Sequence, residues 1–137
     1  MSETLKVLLV DDQIDFLEPI AFWMKKRGHE VEMTHDPLKA FDIIRKKSFD
    51  VVFVDFKMPV ISGFEMIEQV RKFNKTVAIV MVTAHADDAI AHQNKIRDLN
   101  IAGFFSKMGG FGELERVLDV VLRGVEVGKA KKRLNQN

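Results

Sequence analysis

Residues 51–63 read VVFVDFKMPVISG. Four apolar residues lead into Asp55, and a lysine, a proline and a glycine follow within eight positions. A continuous apolar run of this length reads as a strand buried on both faces, which belongs to a parallel sheet covered by helices. A strand of that kind ending on a carboxylate places the acid at the sheet's carboxyl edge, where ligands bind in open α/β folds.

Working outward, the same alternation recurs. LKVLLV (5–10), EVEMT (30–34), VAIVMV (77–82) and IAGFF (101–105) are strand candidates. Between them lie helix-length segments: 14–27 with Ile14, Leu17, Ala21 and Met24 on one face and Gly28 as a stop; 38–47 behind Asp36-Pro37; 64–73; and a polar stretch over 87–99. A last helix is expected over 112–123. The pattern is (βα)5, a doubly wound five-stranded parallel sheet with short, right-handed connections. Pro19 falls within the first helical segment, so a late start or a kink is expected there.

The 137 residues suit one domain, expected over 1–123, and 47% of them are apolar. There is no cysteine, which excludes disulfides and thiolate metal sites and agrees with a cytoplasmic location. No apolar run is long enough to span a bilayer, so a soluble protein with no membrane partner is expected. From Arg123 onward five Lys or Arg stand against Glu126, a local +4, so the preceding 122 residues carry −3 of the overall +1. The tail, 124–137, reads as basic and flexible. Its lysines have no aromatic residues among them, which argues against nucleic acid.

Each strand delivers its own chemistry to the carboxyl edge. The first ends at Asp11-Asp12, the third at Asp55, the fourth at Thr83-Ala84 and the fifth at Ser106-Lys107. Three close carboxylates repel one another unless a cation joins them. A hard ion such as Mg²⁺, sharing one or two carboxylates with phosphate, fits that need. Three acids, one Mg²⁺ and Lys107 sum to zero charge, and aspartate is an established nucleophile toward phosphoryl groups.

Over residues 5 to about 123 this set resembles the receiver domain of two-component response regulators. The residues that carry the resemblance are Asp11-Asp12, the run Asp55-Phe56-Lys57-Met58-Pro59 closed by Gly63, Thr83-Ala84, and Lys107. The resemblance implies a flavodoxin-like sheet with strand order 2-1-3-4-5. It implies phosphorylation of Asp55 from a sensor histidine kinase or a phosphotransfer protein, with no independent enzyme activity beyond that self-directed chemistry. It further implies Mg²⁺ held by Asp12, Asp55, the Lys57 carbonyl and, through water, Asp11. Lys107 and Thr83 would contact the phosphoryl group, and Phe104 would turn inward behind Thr83, with Phe105 its rival for that role. Output would pass through the face formed by the fourth helix, fifth strand and last helix, by contact with a partner or by phosphorylation-dependent dimerisation. Lys57 and His85 occupy positions that tune phosphoryl loss in the family.

Met108-Gly109-Gly110 departs from the family pattern, in which a proline behind a cis peptide follows the lysine. The change is either neutral or loosens the loop that carries Lys107. His85, Asp87, Asp88 and His92 suggest a second metal site only by composition. Phe16, Ile20 and Trp23 form a second apolar row on the first helix, read either as burial on a broad front or as a docking patch. Two other functions compete: a receiver-shaped scaffold that takes no phosphate, and a small aspartyl-phosphate phosphatase. The phosphatase would want an acid two residues after the nucleophile, where this chain has Lys57.

Overall fold

The computed structural model describes residues 4–85 and 87–135. Five strands, β1 (Lys6–Val10), β2 (Glu30–Thr34), β3 (Val51–Asp55), β4 (Ala78–Thr83) and β5 (Gly103–Ser106), form one sheet in the order β2-β1-β3-β4-β5. All four pairings are parallel, with Val7 opposite both Val31 and Val51. The expected doubly wound sheet and its strand order are present.

Alternation along β1 and β3 explains their unbroken apolar runs. Val7, Leu9, Val51 and Phe53 enter one core with α1 (Ile14–Lys26) and α6 (Phe111–Asn135), while Leu8, Val10, Val52 and Val54 enter a second. That second core is closed by α2 (Pro37–Lys46) and α3 (Gly63–Arg71) through Ala40, Ile44, Phe64, Met66, Ile67 and Val70. A strand with a core on each side has no position for a polar residue until it ends.

Local signals set the helix starts. The Asp36 carboxylate accepts the Leu38 N–H at 2.9 Å with Pro37 as first helical residue, and the Ser62 hydroxyl accepts the Glu65 N–H at 3.2 Å. Gly28 ends the turn after α1 with φ of +93°, a backbone region that favours glycine.

Three expectations are corrected. The helix α1 starts at Ile14, so the late start is not found, and it continues past Pro19 to Lys26 with Leu17, Ile20, Ala21 and Met24 burying its face on the sheet. The polar stretch after β4 forms two short helices, α4 (Asp87–Ala91) and α5 (Gln93–Asp98), parted at His92 with φ −124° and ψ 30°. No residue of α5 is buried, so packing does not enforce one continuous helix. The last helix continues to Asn135 instead of ending near Arg123. Val125 packs on the core beyond the expected stop, as Leu122 does just before it, and a glycine such as Gly124 costs a helix only about 1 kcal/mol. Residues 136 and 137 of the expected tail lie outside the described ones.

Candidate functional site

The carboxyl edge gathers the acids as their positions demand. Asp11 and Asp55 are buried, Asp12 is exposed, and each of the three offers a carboxylate oxygen within 4.8 Å of the others. Lys107 reaches across from the end of β5, its Nζ 2.9 Å from Asp11 Oδ2 and 3.5 Å from Asp55 Oδ2. The Lys107 N–H bonds the Thr83 carbonyl at 2.8 Å, continuing the β4–β5 ladder and fixing where the side chain starts.

Electrostatics here are unbalanced. Burial, and then the neighbouring charge of Asp11, push the Asp55 carboxyl up to about 7, against the pull of Lys107 and the Lys57 backbone N–H. Burial likewise raises Asp11, opposed by Lys107 and by the Gln13 N–H that donates to Asp11 Oδ1 at 2.9 Å. Three carboxylates facing one ammonium leave a negative excess in a partly dry pocket. An all-oxygen set of this kind suits a hard divalent cation such as Mg²⁺.

Backbone geometry keeps Asp55 in place. The Gly63 N–H donates to the Phe56 carbonyl at 3.0 Å, folding the segment 56–63 back against the strand end. A Cβ at Gly63 would collide with the carbonyl oxygen of Asp55 itself and press on Met81 and Phe56. Glycine is required there for close approach, which gives the glycine of the opening stretch its reason.

Thr83 is buried at the end of β4. Its hydroxyl donates to the His85 carbonyl at 3.0 Å and accepts the His85 N–H at 3.1 Å. Phe104 pairs in register with Met81 and joins the second core beside Ile96, Leu99 and Ile101; Phe105 lies in the other core, its ring centroid 6.4 Å from that of Phe16. By alternation Thr83, two residues after Met81, shares the sheet face of Phe104 and not that of Phe105. The side chains of Lys57 and His85 are exposed.

The second apolar row of α1 divides. Ile20 is buried, while Phe16 and Trp23 are only half-buried against the core; outside that row, Ile14 and Phe22 are exposed. Trp23 stacks on Phe111 at 5.4 Å, and the Arg27 guanidinium lies over the Trp23 ring at 3.8 Å. The suggested second metal group does not assemble among the described residues, where Asp11, Asp12 and Asp55 form the one candidate cluster; the Asp88 side chain lies outside them. His92 instead packs its ring 5.3 Å from Phe56 and 5.1 Å from Phe64. The Lys107–Met108 peptide is trans.

Sequence reasoning missed two residues at this edge. Gln13 accepts a hydrogen bond from Lys107 Nζ at 2.7 Å, and Glu113 accepts the Ser106 N–H at 3.3 Å, tying down the loop behind Lys107. Gln13 directly follows the acidic pair, and that adjacency was its only signal; Glu113 carried none.

Residues 7–119 match the model of the response regulator receiver domain. The chain belongs to that family. It is 35% identical over 86 residues to a response regulator receiver protein of Anaeromyxobacter sp. (strain Fw109-5), a match covering 62% of this chain and 36% of the relative. Against the sporulation initiation phosphotransferase F of Bacillus subtilis it is 26% identical over 90 residues, 66% of this chain and 73% of the relative. The chemotaxis response regulator CheY4 of Vibrio cholerae superposes with a TM-score of 0.79 at 30% identity, over 87% of this chain and 99% of that one. The matched part thus spans about a third of the Anaeromyxobacter relative and nearly all of CheY4. Among the described residues no helix is long and apolar enough to cross a membrane.

Proposed function

We propose that this receiver domain is a phosphorylation-controlled signalling switch in which Asp55 accepts a phosphoryl group from a phosphohistidine on a sensor histidine kinase or phosphotransfer protein in the cytoplasm. The observation that carries the reading is the buried Asp55 carboxylate, 3.5 Å from Lys107 and sharing its pocket with Asp11 and Asp12. A carboxylate oxygen of Asp55 attacks phosphorus, the donor's P–N bond breaks, and the leaving imidazole keeps the electron pair and takes a proton. Catalysis consists of positioning and charge neutralisation, with Asp55 reacting as its carboxylate.

Asp11, Asp12, Asp55 and the Lys57 carbonyl would hold Mg²⁺, which when bound supplies positive charge to the phosphoryl oxygens. The chain's own residues do the rest. Lys107 exchanges its contact with Asp55 for a phosphoryl oxygen, a charge-assisted bond of about twice the ordinary strength. Thr83 turns its hydroxyl donor from the His85 carbonyl to another phosphoryl oxygen, which releases the segment after β4. Phe104, on the same sheet face as Thr83, follows inward, and the surface of α4, α5, β5 and α6 changes for a partner or a second copy. Lys57 and His85, exposed beside the site, set how long the phosphoryl group lasts.

The test is intact mass after incubation with acetyl phosphate, with Mg²⁺ or with chelator, on wild type and Asp55→Ala. One phosphoryl group that requires both Mg²⁺ and Asp55 is expected. No gain in the folded wild type would overturn this reading and favour a phosphate-independent scaffold, a second reading that the trans Lys107–Met108 peptide and the glycine pair after it support.

A further inference from the structure

We propose that Gln13 is a positioning residue for Lys107, and that with Phe16 it makes the start of α1 a clamp on the ammonium. The clamp depends on the reading of Asp55 as phosphoryl acceptor for its consequence, but not for its geometry. Lys107 Nζ lies 2.7 Å from Gln13 Oε1, closer than its 2.9 Å to Asp11 and 3.5 Å to Asp55. The Phe16 ring presents its face to the same nitrogen, 4.9 Å from the centroid. An ammonium has three N–H donors, and the oxygens nearest this one are an amide oxygen and those of two carboxylates.

Gln13 is held from two directions. Its N–H donates to Asp11 Oδ1 at 2.9 Å, and its carbonyl accepts the N–H groups of Phe16 and Leu17 at 3.1 and 3.2 Å as the cap of α1. The backbone from which its side chain reaches is therefore set by the helix start and by one of the acids together.

The segment behind Lys107 contributes little direction of its own. Met108 is 87% exposed, Gly109 and Gly110 have no side chains, and Gly110 sits at φ +20°. Glu113 fixes the backbone at Ser106, one residue before the lysine. Direction for the far end of the side chain comes from α1, across 94 residues of sequence.

The choice of glutamine has an electrostatic reason. A carboxylate at position 13 would add a fourth negative charge to three that already repel one another. A neutral amide oxygen takes an ammonium proton without that cost. Its bond to the ammonium carries charge on the donor alone, whereas a phosphoryl oxygen brings charge to the acceptor as well, so an arriving phosphoryl anion can draw Lys107 away.

The test uses the full chain and three forms: wild type, Gln13→Met, which keeps length without an acceptor, and Gln13→Glu, which keeps the acceptor oxygen. The first readout is the ¹⁵N-detected ammonium resonance of Lys107, identified by its loss in Lys107→Arg. Protection of that resonance is expected in wild type and Gln13→Glu and lost in Gln13→Met. The second is the rate of phosphorylation by acetyl phosphate as Mg²⁺ is varied. Gln13→Met is expected to lower the saturating rate about 3- to 10-fold with an unchanged Mg²⁺ midpoint. A Gln13→Met protein with wild-type resonance overturns the clamp, as does an equal fall in a Gln13→Glu protein that has also lost the resonance. If wild type takes no phosphoryl group, the reading of Asp55 fails, and the clamp stands or falls on the resonance alone.

Discussion

Arg71 and Lys107 are both cations drawn off the surface, at opposite edges of one sheet, and their surroundings differ in kind. Arg71, at the end of α3, donates to four backbone carbonyls just before β4 and β5: Leu99 at 2.8 Å, Asn74 at 3.2 Å, Val77 at 2.8 Å and Asn100 at 3.1 Å. Every partner is a neutral dipole belonging to a turn that must form for the sheet to form. Lys107 meets two buried carboxylates, an amide oxygen and an aromatic face, with Asp12 close by. Its partners outnumber it in charge. The amino edge thus uses its cation to close the fold, and the carboxyl edge keeps an electrostatic imbalance that a ligand can relieve.

The largest expected effect tests that imbalance directly. The Asp55 carboxyl is raised from 3.8 to about 7 in the folded chain, so the native state holds a proton that the unfolded state has released between those values. Its stabilising contribution is whole below the unfolded value and is lost as pH rises through about 7. Asp55→Asn is therefore expected to stabilise the protein above pH 7, by up to about 4 kcal/mol, and to make no difference near pH 3.5. Thermal unfolding of both forms across pH measures this, and a gap that stays constant with pH would break the comparison. Added Mg²⁺ is expected to raise the melting temperature of wild type more than that of Asp55→Asn.

Next comes Lys107→Ala, expected to slow phosphorylation by acetyl phosphate about 10²-fold, the loss typical of a charge-stabilising donor. Its stability should change mainly in the pH range where the acids ionise. Arg71→Leu should do the reverse. It is expected to lower unfolding free energy by about 2 kcal/mol across the pH range, through four carbonyls left to find water, and to leave phosphorylation of the folded protein near wild type. Chemical denaturation alongside the mass assay separates the two, and an Arg71→Leu protein that folds yet cannot be phosphorylated would dissolve the distinction between edges. Gly63→Ala should cost about 1–3 kcal/mol and slow phosphorylation too, because the new methyl group pushes on the carbonyl of Asp55. The smallest effect is expected at Lys57→Ala: a phosphoryl half-life changed about two- to threefold with stability unmoved, measured as loss of the phosphoryl mass over time.

Much of the carboxyl edge was legible because strand ends are legible. Continuous apolar runs locate strands, parallel strands share a carboxyl edge, and the residues after each run therefore meet; Asp11, Asp12, Asp55, Thr83 and Lys107 emerged from those steps. Gln13 was not legible in the same way, since one glutamine at a helix start has no periodic or motif signal and its partner lies in β5's loop. Arg71 was equally silent, because backbone carbonyls as partners leave no trace in residue type. A helix stop near Arg123 overlooks Leu122 and Val125, whose packing on the core outweighs the modest helix cost of Gly124.

Residue order alone determined the alternation of buried strands with helices, the family resemblance and the convergence of three acids with one lysine, since these depend on hydrophobic period and on the residues at each strand's end. Only the tertiary structure decided which sheet face Phe104 and Phe105 take, where the polar stretch before β5 breaks, how far α6 runs, and which groups hold each buried cation. Those outcomes depend on distances between segments far apart in sequence, set by how side chains share limited space once the sheet has closed.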